Sequence, residues 1–173
     1  GRDDIAARTI RAVGEAEERF REDYLRILRA IRFATRLDFE IAPDTWAAAK
    51  RVASGMARLS AERVRDEWYR TLETARSVAR VLDLWREIGA ADQWLAGFVD
   101  RYPFASDPPA DRDPVLITMV ASRDGVAALE ALKASNQESD RGRRIAAAPP
   151  APSPDSVTRV RRWLPGVVLA ADD

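Results

Sequence analysis

Histidine and cysteine are both absent from the sequence. Without cysteine there is no disulfide scaffold, no thiolate nucleophile and no cysteine-type zinc site. Without histidine there is no Ser-His-Asp triad, no HExxH metal site and no histidine proton shuttle. Whatever chemistry the chain performs falls to Asp, Glu and Arg. Lysine is nearly missing as well: Lys50 and Lys133 are the only two, and every other basic residue is Arg. Arg presents a planar fork that matches carboxylates, phosphates and base edges in a way Lys does not. Net charge is missing too, because 28 basic residues balance 28 acidic ones. That excludes a protein held on nucleic acid or membrane by bulk charge alone. No apolar run approaches the roughly 18 residues of a membrane span. The opening Gly1-Arg2-Asp3-Asp4 carries no signal-peptide core. The expected setting is soluble and cytoplasmic, without a membrane partner.

What remains is ample for a core. Apolar residues make up 46% of the 173, enough for one compact domain or two small ones. Charge is uneven along the chain, with mildly basic ends around an acidic middle. Nearly every periodic stretch has helical spacing. The clearest runs over residues 15–37, with Phe20, Tyr24, Ile27, Leu28, Ile31 and Ala34 on one face. Glu15, Glu17 and Glu18 fall in its first turn, where the helix dipole favours negative charge. A second helix is expected from Pro43 to just before Gly55. Ser60 reads as the cap of a third, through Trp68, Tyr69 and Leu72, and Val78 to Ile88 form a fourth closed by Gly89. Residues 103–114 hold four prolines and read as a linker. Helices resume at 114–122 and 126–134. Ser135 and Glu138 then form a capping box that opens another helix toward Ala148. Residues 149–154 are a proline-rich spacer before a short helix at 156–164. No period-2 strand is visible. The expectation is an all-α array of short helices with no sheet.

One stretch carries candidate chemistry. If residues 15–37 form a single helix, Arg19, Asp23 and Arg26 share a stripe at i, i+4 and i+7. Glu22 is the i, i+4 neighbour of Arg26 and can orient its guanidinium. A carboxylate beside a guanidinium fork places acceptors next to donors. The Watson–Crick edges of cytosine and adenine both place an amino donor next to a ring-nitrogen acceptor. Guanine and uracil reverse that order. An Asp–Arg pair can therefore accept C and A and reject G and U with no template. A wrong base leaves buried polar groups unpaired, at roughly 1–3 kcal/mol each. The plain alternative is a solvated helix face, where such pairs are worth about 0.2–0.5 kcal/mol.

The surroundings decide between them. Glu22-Asp23-Tyr24-Leu25-Arg26 lies inside IRAVGEAEERFREDYLRILRAIRFATRLDFEI. This segment resembles the neck of the class II tRNA nucleotidyltransferases, the CCA-adding enzymes and their bacterial poly(A) polymerase relatives. Asp4, Arg11 and Gly14 resemble the segment that leaves their catalytic head. Arg19-Phe20 precedes the E-D-x-x-R motif, and Leu59–Glu67 (LSAERVRDE) resembles the motif that follows it. The likeness is strong over about residues 1–72 and weaker at Leu132–Asn136. Two departures stand out. Glu15-Ala16 follow Gly14 where Asp-Pro is common, and Tyr24 occupies a place where a small residue is usual. That ring either crowds the pocket or packs beneath it.

The resemblance implies a neck over residues 1–74, a helical tRNA-binding body over 75–148, and a spacer with a tail helix over 149–173. It implies that Asp23 and Arg26 read CTP or ATP, with Glu22 supporting Arg26. Asp4, Gly14 and Arg19 would belong to the flexible element between head and neck, while Arg63 and Glu67 brace the neck. Arg29, Arg32 and Arg36 are candidates for phosphate or RNA contacts, with a solvated face the favoured alternative. The tryptophans read as core residues rather than stacking platforms. In this family Mg²⁺ sits on carboxylates of a head domain that carries a glycine-rich segment and a D-x-D pair. Neither occurs here, so no metal ligand or catalytic residue is expected in this chain. The chain reads as a piece beginning beyond that head, inactive by itself. The implied partners are tRNA and nucleoside triphosphates. The alternatives are the poly(A)-adding branch, or a non-catalytic helical RNA-binding module.

Overall fold

The computed structural model describes residues 1–99 and 112–148. Helices dominate, and five of them start at a side chain that caps the first turn. The first elements are α1 (Arg2–Ala6), a short strand β1 (Thr9–Ile10), α2 (Ala16–Glu22) and α3 (Leu25–Leu37). A second short strand β2 (Glu40–Ile41), α4 (Pro43–Val52) and a 3₁₀ turn (Ala53–Arg58) follow. The rest comprises α5 (Ala61–Thr74), α6 (Val78–Glu87), α7 (Ala90–Trp94), α8 (Pro114–Ala121), α9 (Gly125–Ala131) and α10 (Asn136–Ala147). Side chains of Ser60, Ser77, Asp113, Asp124 and Ser135 each accept an amide of the following first turn. Each such cap is worth about 1 kcal/mol. The Ser135–Glu138 capping box is complete in both directions.

Two expectations are corrected. The run 15–37 is not one helix: it breaks at Asp23, whose backbone is extended at φ −155° and ψ 103°. The cause is local. The Asp23 carboxylate accepts the Leu25 amide at 3.1 Å, offering the backbone an alternative to continuing the helix. The absence of a sheet is also overturned, because β1 and β2 pair in parallel with Thr9 opposite Glu40 and Ile10 opposite Ile41. Two-residue strands are too short to show a period of two, and their partners lie far apart in sequence. The 103–111 part of the proline-rich linker, the 149–154 spacer and the 156–164 helix lie outside the described residues.

The core forms where α3 lies along α5 and α6 closes over them. Ile27, Leu28 and Ile31 of α3 are fully buried, as are Val64, Trp68 and Leu72 of α5. Trp68 and Trp85 meet with ring centroids 4.4 Å apart at 54°, and Phe98 stacks on Trp68 at 6.0 Å. The Trp68 indole donates to Thr118 Oγ1 at 2.8 Å, which ties α5 to α8 and satisfies a buried donor. Trp68 and Trp85 are core residues, as expected of the tryptophans, and Phe98 joins them. No helix among the described residues is long and apolar enough to cross a membrane.

Candidate functional site

The break at Asp23 organises the site. Upstream of it, Phe20 anchors α2 in the core, and downstream Leu25 and Ile27 anchor α3. Between them Asp23 and Tyr24 bridge two helices that differ in direction. Arg63, near the start of α5, donates to both Asp23 carboxylate oxygens at 3.0 Å. With the Leu25 amide, that gives the carboxylate three donor contacts. A carboxylate has about four lone-pair sites, so acceptor capacity remains.

Arg26 is held separately. Its Nη1 donates to Glu22 at 2.6 Å and to the Arg19 carbonyl at 3.1 Å, and its other two nitrogens have no hydrogen-bond partner among the described residues. Arg19 reaches the same Glu22 at 3.0 Å. Glu22 is thus pinched between two guanidiniums, Arg26 and then Arg19, which hold its pKa below the usual value. Asp23 and Arg26 make no ion pair with each other. A pair closed on itself would have little left for a ligand. Two groups with separate partners keep both an acceptor and a donor at the surface.

Beside Arg26 opens a groove of about 440 Å³ between the segment after β1 and the helices α2 and α3. Ile10, Val13, Phe20 and Phe33 give it an apolar lining, and Arg19, Arg26 and Arg29 stand on it. Val13 is 82% exposed and Phe33 40%, which is unusual for such side chains. Asp23 does not line this groove. The single stripe of Arg19, Asp23 and Arg26 is therefore corrected: the helix break leaves the two arginines on the groove and turns the carboxylate toward α5.

The remaining candidates fall around this centre. Glu67 of α5 is buried, its side chain 4% exposed, and it accepts Arg32 Nε at 2.5 Å. Arg29 Nε lies 3.8 Å from its other oxygen. Arg63 thus ties α5 to the break itself, and Glu67 ties α5 to α3. Arg32 also lies over the Phe33 ring at 4.4 Å. Arg36 is exposed on the last turn of α3. Asp4 binds Arg11 at 3.0 Å, and Arg11 reaches Asp44 of α4 at 3.1 Å, so α1 is clamped to α4 rather than to the break. Gly14 has φ +74°, a left-handed backbone that other residues adopt at a cost, and the Arg19 guanidinium packs beside it. Tyr24 packs beneath the site, against Gly55 of the 3₁₀ turn. Two relationships escaped the sequence: Arg63 as the partner of Asp23, and Gly55 as the seat of Tyr24. The only signal for the first was the Leu59–Glu67 motif, which names Arg63 but not its partner.

Among the described residues no three carboxylates cluster closely enough to hold a metal ion. The site's capacity is recognition: an acceptor, a donor and an apolar groove beside arginines.

The profile of a family described as the probable RNA and SrmB-binding site of polymerase A matches residues 38–97. The CCA-adding enzyme of Leuconostoc citreum (strain KM20) is 45% identical over 103 residues, 55% of this chain and 26% of that protein. The CCA-adding enzyme of Geobacillus stearothermophilus is 47% identical over 89 residues, 51% of this chain and 22% of the relative. The matches therefore span about a quarter of the length of these curated relatives. Among solved structures, the Bacillus stearothermophilus CCA-adding enzyme in complex with CTP aligns at TM-score 0.62 and 28% identity. That alignment covers 99% of this chain and 48% of the other. A tRNA-processing enzyme with CTP shares the fold at TM-score 0.67 and 20% identity, over 99% of this chain and 55% of its own.

Proposed function

The chain belongs to the family of the CCA-adding enzymes, and from that premise we propose that it supplies the base-selecting and RNA-binding part of a tRNA nucleotidyltransferase. The observation that carries this reading is the separate tethering of Asp23 and Arg26. Arg63 and Glu22 each fix one of the two groups without consuming it. Asp23 then accepts the exocyclic amino group of cytosine or adenine, and Arg26 donates to the neighbouring ring nitrogen. Guanine and uracil would meet donor with donor and acceptor with acceptor. Selection in this form needs no template, because the side chains replace the pairing strand.

The substrates in this reading are CTP, ATP and the 3′ end of tRNA. The RNA's 3′ hydroxyl attacks the α-phosphorus and pyrophosphate leaves. Such a step depends on positioning and on electrostatic stabilisation of the phosphates. Mg²⁺ would supply the latter, and the described residues do not fit it, so no step is routed through a metal here. Arg29, Arg32 and Arg36 are proposed to meet phosphates by shape and charge, with Arg32 the most constrained because Glu67 holds it. The balanced net charge makes RNA affinity of this chain alone weak and salt-sensitive. Nucleotide incorporation by the 173-residue chain alone is not expected, and its detection would overturn that part of the reading.

The test incubates the protein as encoded by its gene with tRNA lacking its 3′ CCA and each nucleotide singly. Ordered C and then A incorporation is the expected result. Incorporation of A alone would move the chain to poly(A) addition, a reading favoured by the polymerase A description of the profile over residues 38–97. No incorporation by well-folded protein would leave a helical RNA-binding module.

A further inference from the structure

Resting on the base-selection reading above, we propose that Tyr24, seated on Gly55, is the positioning residue that sets the direction of the Asp23 carboxylate. The seat is unusually close. A Cβ placed on Gly55 would lie 2.0 Å from Tyr24 Cε1 and 2.1 Å from Cζ, well inside van der Waals contact. Only glycine leaves room for the ring there. The ring also packs on the partly buried edge of the main core, so it is held on both sides.

The consequence falls on the residue before it. Asp23 has extended backbone angles between two helices, and although its carbonyl accepts the Arg26 amide at 3.0 Å, the direction of its side chain is left to the groups around it. Its carboxylate accepts the Leu25 amide and is paired with Arg63, whose own side chain is 49% exposed. An exposed ion pair restrains a carboxylate only loosely. Tyr24 supplies what that pair lacks: its ring, with two rotatable bonds, fixes the peptide that carries Asp23 against a rigid turn. Leu25, the residue that follows, is buried in the core and holds the start of α3. The acceptor of a base-reading pair must be held to well under 1 Å, since a misplacement of about that size can cost around 100-fold in rate.

The test measures the ratio of CTP to UTP incorporation in single turnovers, using the protein as encoded and tRNA lacking CCA. A ratio does not depend on the fraction of folded protein, so mere destabilisation leaves it unmoved. Tyr24→Ala is expected to lower the ratio about tenfold or more. Gly55→Ala, which evicts the ring from the other side, is expected to do the same. The double variant should be no worse than Tyr24→Ala, because both changes remove one contact. Tyr24→Phe keeps the ring and should keep the ratio. Additive losses in the double variant, or an unchanged ratio in Tyr24→Ala and Gly55→Ala, would overturn the proposal. Asp23→Ala run in parallel separates the two levels. If it loses the ratio while the Tyr24 and Gly55 variants retain it, base selection stands and the positioning role falls. If Asp23→Ala keeps the ratio, both fall together.

Discussion

Arg63 of α5 donates to both carboxylate oxygens of Asp23, each at 3.0 Å, across the break between α2 and α3. The pair joins two elements that the sequence separates widely, and it lies partly exposed. Its value for stability is therefore small, about 0–1 kcal/mol. For direction it acts together with the Tyr24 seat. Arg63→Ala is expected to leave the urea midpoint nearly unchanged while lowering the CTP-to-UTP ratio. A large loss of stability with the ratio intact would mean that the pair is structural only.

Glu67 presents the opposite case. Its carboxylate is buried and holds Arg32, itself largely covered, at 2.5 Å. Removing the acid leaves a largely covered guanidinium without its carboxylate partner. Glu67→Ala is expected to cost about 3 kcal/mol, read from urea unfolding. A cost below about 1 kcal/mol would show that water reaches Arg32 freely and that the pair behaves like a surface pair.

The Glu22 carboxylate titrates below its usual value because Arg26, and next Arg19, bind its charged form. A group depressed in the folded state contributes above its unfolded pKa of about 4.3. That contribution disappears as pH falls through the lower folded value. A carbon-detected NMR titration should place the Glu22 midpoint below the ordinary glutamate value, and Arg26→Ala should raise it. An ordinary midpoint in the unmodified protein would contradict the pinched geometry.

Trp68 is completely buried, touches Trp85 and Phe98, and donates to Thr118. Trp68→Ala removes that packing and the bond to Thr118, whose hydroxyl keeps its own bond to the Pro114 carbonyl. The expected loss is about 3–5 kcal/mol, measured by calorimetry or denaturant. A loss under about 1 kcal/mol would mean that α5 and α8 are not held together through this ring.

Helix starts were legible wherever a side chain caps its own first turn, as at Ser60 and Ser135, because that chemistry is local. Helical spacing likewise placed Ile27, Leu28 and Ile31 on the inner face, and Trp68 was expected in the core. The break at Asp23 was not legible, since a period of 3.6 runs through it unchanged while one Asx-type hydrogen bond redirects the chain. The β1–β2 pairing was invisible for a related reason: two residues carry no pattern, and the pairing is long-range. At the site, Glu22 with Arg26 followed from i, i+4 spacing. Asp23 with Arg63, and Tyr24 with Gly55, depend on how α5 and the 3₁₀ turn dock, which no local rule supplies.

The claim that Asp23 and Arg26 choose the base is tested most directly by measuring single-turnover incorporation of all four nucleotides with Asp23→Ala and Arg26→Ala. Both variants should still transfer nucleotides, with the preference for C and A over U and G reduced about tenfold or more. Preference retained in either variant, at whatever rate, would contradict base selection by this pair.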